Sequence, residues 1–392
     1  MPLIKTPIKG TCDQLPEDQA LREYVLSTIK KVYSSYGFSS IETPVLEHLE
    51  NLTGGHGGEN EKLIFKILKR GEKLEKIEDI NDAADSGLRF DLTLPLVRYY
   101  VNNQDKLITP FKAMQTGLVF RADRPQKGRF RQFMQCDIDI LGDDSFLAET
   151  ELILAASDAL LKLGFKDFSI RINDRSALKD TALNSGISEN QLENCFIILD
   201  KTDKIGEQGV LKELIESGID EQTAQNYLAA IKSAKPNDNI KKIINNVTSA
   251  KNEGFNLVFD PTLVRGMGYY TGTIFEITMD ELGLSVAGGG RYDKMVEQFG
   301  GPSTCAVGFS IGFERIVTIL KQRNFVPIGC GRRICFLIDK KASSEAIASA
   351  LRKAAAYRAD GDTVLVTRRN KNAKFQKTRL EDLGYTEFFD IY

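Results

Sequence analysis

FRADRPQKGRFRQFMQCDIDILG, residues 120–142, is the stretch whose reading decides the fold. Arg121, Arg124, Lys127, Arg129 and Arg131 crowd five cations into eleven positions, and Phe133, Gln135, Asp137 and Asp139 then follow at alternate positions. Alternation places the last four on one face of a strand. The stretch reads as two antiparallel strands joined by a cationic loop. Guanidinium forks bind phosphate oxygens bidentately. An aromatic ring, an amide and carboxylates beside them suit a nucleotide and a small cationic or polar substrate. The same pattern also fits a solvated, charged hairpin.

Working outward, 392 residues are enough for two or three domains with a large core. A formal charge of −2 leaves no global positive field, so a nucleic-acid partner would have to be met by local basic patches. The N-terminal MPLIKTPIKGTCDQLP has no apolar signal core, and no run reaches the roughly 18 apolar residues of a membrane span, so a cytoplasmic protein is expected. Six cysteines are scattered without a CxxC pair, and His48 and His56 are the only histidines. That composition argues against a zinc site and against histidine-based catalysis, leaving arginine and carboxylate to carry the chemistry.

Glu17–Tyr36 has helical periodicity closed by Gly37, and SSIETPVLE reads as a strand with Pro44 inside it. TGGHGGENEK, residues 53–62, is a glycine-rich loop. GLRFDLTLPLVRYY runs from strand to helix, with Asp91 also placed to cap that helix. Ala148–Leu163 is an amphipathic helix, and about 174–252 is a polar, lysine-rich helical segment. FNLVFDPTLVRGMGYYTGTIFEI returns to strand, VAGGGRYDKMVEQFGG brings three glycines against a strand end, and CAVGFSIGFERIVTIL reads as strand, turn and helix. From Arg332 the alternation of strand and helix predicts a small parallel α/β domain, locally basic through Arg368, Arg369, Lys371, Lys374, Lys377 and Arg379.

These blocks resemble, in order, the three motifs of class II aminoacyl-tRNA synthetases. RADRPQKGRFRQFMQCDID and the Arg-Gly followed by Tyr-Tyr at 265–270 resemble the histidyl-tRNA synthetases in particular. The resemblance implies an α+β catalytic domain on an antiparallel sheet over residues 1–325, a helical insertion at about 174–252, and a shortened α/β anticodon-binding-like domain at 328–392. It implies a homodimer formed through the helix, Gly37 and the proline-bearing strand, with ATP, Mg²⁺, histidine and tRNA(His) as the molecules met. Arg121 and Arg265 would flank the reacting phosphate as the catalytic pair. Asp91, Leu92, Thr93, Arg121, Gln135, Asp139, Arg265, Tyr269 and Tyr270 would hold histidine, and Arg121, Asp123, Arg129, Phe133 and Arg315 the ATP.

Two positions depart from the pattern: Gly268 stands where the family has Asp, and Cys12 where it often has Arg. An alternative within the same fold is a catalytically silent, histidine-sensing regulatory subunit of ATP phosphoribosyltransferase. An amino-acid-ligating or RNA-binding paralogue with another acceptor also fits the short tail and Gly268.

Overall fold

The computed structural model describes residues 3–54, 60–77, 79–124, 129–251, 253–265, 268–279, 284–325 and 332–392. The centre of the glycine-rich loop with His56, and Lys127, Gly266, Cys330 and the expected domain junction near 326, lie outside the described residues. The rest falls into two compact units, residues up to Asp13 with Val25–Arg323, and Gln14–Tyr24 with Asn324–Tyr392.

The first helix, α1 (Pro16–Ser35), gives the larger unit its part from Val25 onward, where Val25, Ile29 and Tyr33 recur every four residues and are buried. Strands β1 (Ser39–Ser40) and β2 (Leu46–His48) follow, then α2 (Leu49–Thr53), β3 (Phe65–Leu68), the single turn α3 (Glu72–Glu75), β4 (Ala84–Leu88) and α4 (Thr93–Asn103). Next come the long hairpin β5 (Phe111–Phe120) and β6 (Gln132–Leu141), α5 (Phe146–Lys162) and β7 (Phe168–Asp174). Five helices are inserted here: α6 (Arg175–Asn184), α7 (Leu192–Leu199), α8 (Thr202–Glu216), α9 (Glu221–Ser233) and α10 (Asp238–Ala250). The unit closes with β8 (Phe255–Phe259), β9 (Thr273–Met279), β10 (Leu284–Arg291), α11 (Met295–Gln298), β11 (Ala306–Gly312) and α12 (Phe313–Gln322).

Eight strands form one sheet in the order β1-β5-β6-β11-β10-β9-β7-β8. The six central strands pair antiparallel. Only the edge pairs β1–β5 and β7–β8 are parallel. The expected α+β architecture on an antiparallel sheet is therefore present. One face of the sheet is sealed by α5, where Ala148, Leu152, Ala155, Ala156 and Ala159 are buried, the small side chains letting the helix lie close to β11. The inserted helices build a core of their own around Leu178, Cys195, Val210, Leu214, Tyr227 and Ile231, shared with Ile274 of β9.

Two local expectations are corrected. Ser39–Glu47 is not one strand: residues 41–44 carry no strand pairing, and Pro44 lies in the break between β1 and β2, because proline offers no N–H to continue a ladder. The three glycines 288–290 are not at a strand end but inside β10, paired on both sides. Crowding explains them: a Cβ on Gly289 would sit 1.9 Å from the Gly308 carbonyl oxygen, and one on Gly290 2.7 Å from that of Thr273.

The smaller unit holds the parallel sheet β13-β12-β14, built from β12 (Arg333–Ile338), β13 (Thr363–Arg368) and β14 (Glu387–Ile391), with α13 (Ser344–Ala359) and α14 (Ala373–Asp382). Ile334, Phe336 and Ile338 face the α13 side with Ala350 and Ala354, and Cys335 and Leu337 face Leu380 of α14. The basic character expected here is partly cancelled. Lys377 pairs with Asp390 at 2.7 Å, Arg369 lies 3.6 Å from Asp339, and Arg379 3.8 Å from Asp382. Arg368, Lys371 and Lys374 remain exposed.

A buried ion pair joins β10 to α5. Arg291 donates through Nε and Nη2 to the two oxygens of Glu149, both at 2.8 Å, and Glu149 is 0% exposed. Removing one partner strands the other charge away from water. Glu149→Ala is expected to cost about 3–5 kcal/mol, read as a lowered urea-unfolding midpoint.

Candidate active site

The central strands open onto a cleft of about 750 Å³. Its floor is the face of β6 carrying Phe133, Gln135, Asp137 and Asp139, continued by Ser310 of β11. Because β6 pairs with β11 in the register Asp139 opposite Gly308, the glycine leaves room for the carboxylate. A Cβ at position 308 would stand 2.0 Å from Asp139 Oδ1. Tyr292 donates its hydroxyl to the same oxygen at 2.6 Å.

Around this floor the structure gathers Asp91, Thr93, Arg121, Asp123, Arg129, Arg265, Tyr269, Tyr270 and Arg315, every expected site residue except one. Leu92 is the one that does not line the cleft: it is 1% exposed and packs in the core. Of the cations read in the hairpin loop, Arg121 and Arg129 line the cleft. Arg131 instead donates through Nε to the Asp123 carbonyl at 3.1 Å, and Arg124 is exposed.

Each cation has its own support. Arg121 donates through Nε to the Phe90 carbonyl at 3.0 Å, and its guanidinium lies 5.1 Å from the Phe133 ring centre. Arg265 has a left-handed backbone, φ +68°, a conformation that costs a non-glycine residue on the order of 1 kcal/mol or more. Its carbonyl accepts from Arg175 Nη1 at 3.3 Å and its guanidinium donates to Glu276. Glu276 is shared, for its other oxygen accepts from Arg171 Nη2 at 2.7 Å. Burial would raise the Glu276 carboxyl, but Arg265 and Arg171 outweigh it and hold it below its ordinary range. Gly288 leaves the space Arg265 occupies, since a Cβ there would lie 2.7 Å from the guanidinium carbon. Arg315, at the start of α12, donates to the Ser285 carbonyl. Burial and repulsion from Arg129, Arg265 and Arg121 lower its pKa, so the guanidiniums converge on one region.

The opposite side is acidic. Burial raises Asp91 to about 6, against opposing help from the Leu94 N–H and Arg121. Burial raises Asp137 to about 7, and the Ser310 hydroxyl opposes that rise while Asp91 adds to it. Asp139 is raised well above its ordinary value by burial and by Asp137. Gln135 donates through Nε2 to Ser310 at 3.0 Å, and its buried Oε1 has no partner. Tyr269 and Tyr270 meet edge to face at 4.8 Å, and burial keeps both hydroxyls protonated as donors. The cleft thus suits a ligand with a polyanionic end and a cationic or hydrogen-bonding end.

Asp137, Ser310, Glu276 and Glu314 belong to this setting and had not been assigned roles. Glu276 had a signal, as a lone acid inside the apolar strand TIFEI needs a cationic partner. Glu314 accepts from the Met134 N–H at 3.1 Å, a contact across 180 positions that spacing does not reveal. At Gly268, where a carboxylate was expected to be missing, another stands close: a Cβ there would be 3.9 Å from Glu193 Oε1 of α7.

A raised carboxyl pKa means the folded state binds the proton more tightly than the unfolded chain. Its stabilising share is present at low pH and lost as pH rises through about 7 for Asp137. Asp137→Asn, with no charge to bury, is expected to melt higher than the parent at pH 7.5, by on the order of 2 kcal/mol, and the difference should shrink by pH 5 in paired melting curves.

A family model described as histidyl-tRNA synthetase matches residues 10–316. A histidine–tRNA ligase of Leifsonia xyli subsp. xyli is 40% identical over 98% of this chain and 94% of its own length. Among solved structures, the histidyl-tRNA synthetase of Nostoc sp. PCC 7120 superposes with a TM-score of 0.78 at 27% identity, covering 98% of this chain and 90% of that one. An ATP phosphoribosyltransferase regulatory subunit/histidyl-tRNA synthetase of Bacillus halodurans has a TM-score of 0.79 at 20% identity, covering 100% of this chain and 99% of that one, and shares the fold. With its antiparallel sheet, its cleft and matches of this extent, the chain belongs to the histidyl-tRNA synthetase family.

Proposed function

We propose that this chain is a histidine–tRNA ligase, activating histidine with ATP to histidyl-adenylate and pyrophosphate and then transferring the histidyl group to the 3′ end of tRNA(His). The observation that carries this reading is the bipolar cleft: four arginines converge opposite three buried carboxylates across one sheet face. Arg121 and Arg265 flank the α-phosphate and offset charge that builds on its oxygens as the histidine carboxylate attacks. That carboxylate is already ionised, so adenylation needs positioning and not a protein base. Asp91 and Thr93 hold the α-ammonium with the unpartnered Gln135 Oε1, while Asp139, Tyr269 and Tyr270 face the imidazole. Phe133 and Arg315 enclose the adenine, Arg129 extends the phosphate contacts, and Asp123 completes the ATP-binding set.

Among the described residues no three acids, cysteines or histidines converge as a metal site. Mg²⁺ would therefore be held chiefly by the nucleotide phosphates, where it adds positive charge, with Glu314 and Glu276 the carboxylates on that side. The unit at 332–392 serves as an anticodon-binding-like domain through Arg368, Lys371 and Lys374, and the helices at 175–250 as the insertion domain that meets the acceptor end. The protein acts in the cytoplasm as a homodimer through α1, Gly37 and the Pro44 segment; the outward-facing Leu46, 57% exposed, supports that surface. A histidine sensor without ATP chemistry would need the acidic floor but not the converging arginines, which favours the ligase over the regulatory subunit.

Histidine-dependent exchange of pyrophosphate into ATP tests this reading, followed by charging of total tRNA. Arg265→Ala is expected to lower the exchange rate by roughly 10²–10³-fold. Histidine binding without exchange in the parent protein would instead support the regulatory reading.

A further inference from the structure

Two residues before Asp91 stands a buried cation that is not among the residues lining the cleft. Arg89, 5% exposed, donates through Nη1 to the Thr43 carbonyl at 2.6 Å and the Thr43 hydroxyl at 3.1 Å, and through Nε to the Leu118 carbonyl at 2.9 Å. The Thr43 hydroxyl donates to Gln115 Oε1 at 2.9 Å, and Gln115 Nε2 donates to the Leu92 carbonyl at 3.0 Å. The circuit therefore starts at Arg89 and returns three residues later on the same turn. That turn carries Asp91 and Thr93, and its Phe90 carbonyl orients Arg121. β5 is shaped to admit the side chain, for a Cβ on Gly117 would lie 2.3 Å from Arg89 Nη2.

We propose, resting on the ligase reading above, that Arg89 is a positioning residue for histidine: its guanidinium locks the Phe90–Thr93 turn through Thr43 and Gln115, and sets a fixed positive charge near the carboxylates of the cleft. The electrostatics agree with the geometry. Burial lowers Arg89, and Glu42, Asp137 and Asp91 oppose that. In return Arg121 and Arg89 oppose the rise of Asp91. The other groups facing Asp91 are Asp137 and Asp139 on β6 and Tyr269 from the segment before β9. Without the Arg89 charge, Asp91 would ionise at higher pH, so the acid limb of histidine use would move upward.

The two parts of the role separate in two variants of the full chain, Arg89→Gln and Gln115→Leu, with Arg89→Lys as the charge-retaining control. The readouts are KM for histidine and for ATP in pyrophosphate exchange across pH 5–9, and the histidine Kd by calorimetry. Arg89→Gln is expected to move the acid limb of kcat/KM for histidine to higher pH, and Arg89→Lys to leave it in place. The substrate's own titration is common to all four proteins. Gln115→Leu, which frees the Leu92 carbonyl and not the Phe90 carbonyl behind Arg121, is expected to raise KM and Kd for histidine roughly tenfold with the limb unmoved and KM for ATP by a smaller factor. If Arg89→Gln fails to fold, Gln115→Leu decides. Histidine and ATP constants rising by the same factor without a limb shift, or no change in either variant, would overturn the proposal. A parent that binds histidine but shows no exchange would sink the ligase reading alone, and the calorimetric Kd would still judge Arg89.

Discussion

The register between β6 and β11 is the constraint on which the site depends. Asp139 is paired with Gly308, Asp137 with Ser310 and Gln135 with Gly312. A slip of one residue would turn the whole acidic row to the other face of the sheet and bring Cys136, Ile138 and Ile140 into the cleft. Glycines on β10 and β11 then clear the space above the row, so the floor is set by backbone pairing and by missing side chains as much as by the acids themselves.

On this floor the molecule tolerates arrangements that folding alone would not select. Three buried carboxylates raise one another or are raised by burial, and four guanidiniums converge opposite them with Glu276 already shared between Arg265 and Arg171. Such unbalanced charge is costly in a protein interior. It becomes favourable when a ligand brings phosphates to one side and an ammonium to the other, which ties the site's electrostatic strain to its proposed work. The left-handed backbone of Arg265, braced by Arg175, fits the same pattern.

Much of the architecture could be read in the residues. Strand alternation placed Phe133, Gln135, Asp137 and Asp139 on one face, and that face is the floor. The alternation of strand and helix expected from Arg332 onward is present as β12, α13, β13, α14 and β14, with all three strands parallel. The misreadings arose where a local rule met a distant neighbour. Pro44 broke a strand that composition favoured, Leu92 turned into the core, and Lys377 and Arg369 spent their charge on Asp390 and Asp339.

By itself the sequence determined which residues alternate, which glycines and prolines interrupt, and that arginine and carboxylate had to supply the chemistry, because periodicity and composition are properties of neighbours along the chain. Only the tertiary structure decided that Gly308 must be glycine to admit Asp139, that Glu276 divides itself between two arginines, and that Arg89 reaches Leu92 by way of Thr43 and Gln115. Those contacts join positions far apart in the chain, and their geometry exists only once the strands are paired and water has been excluded between them.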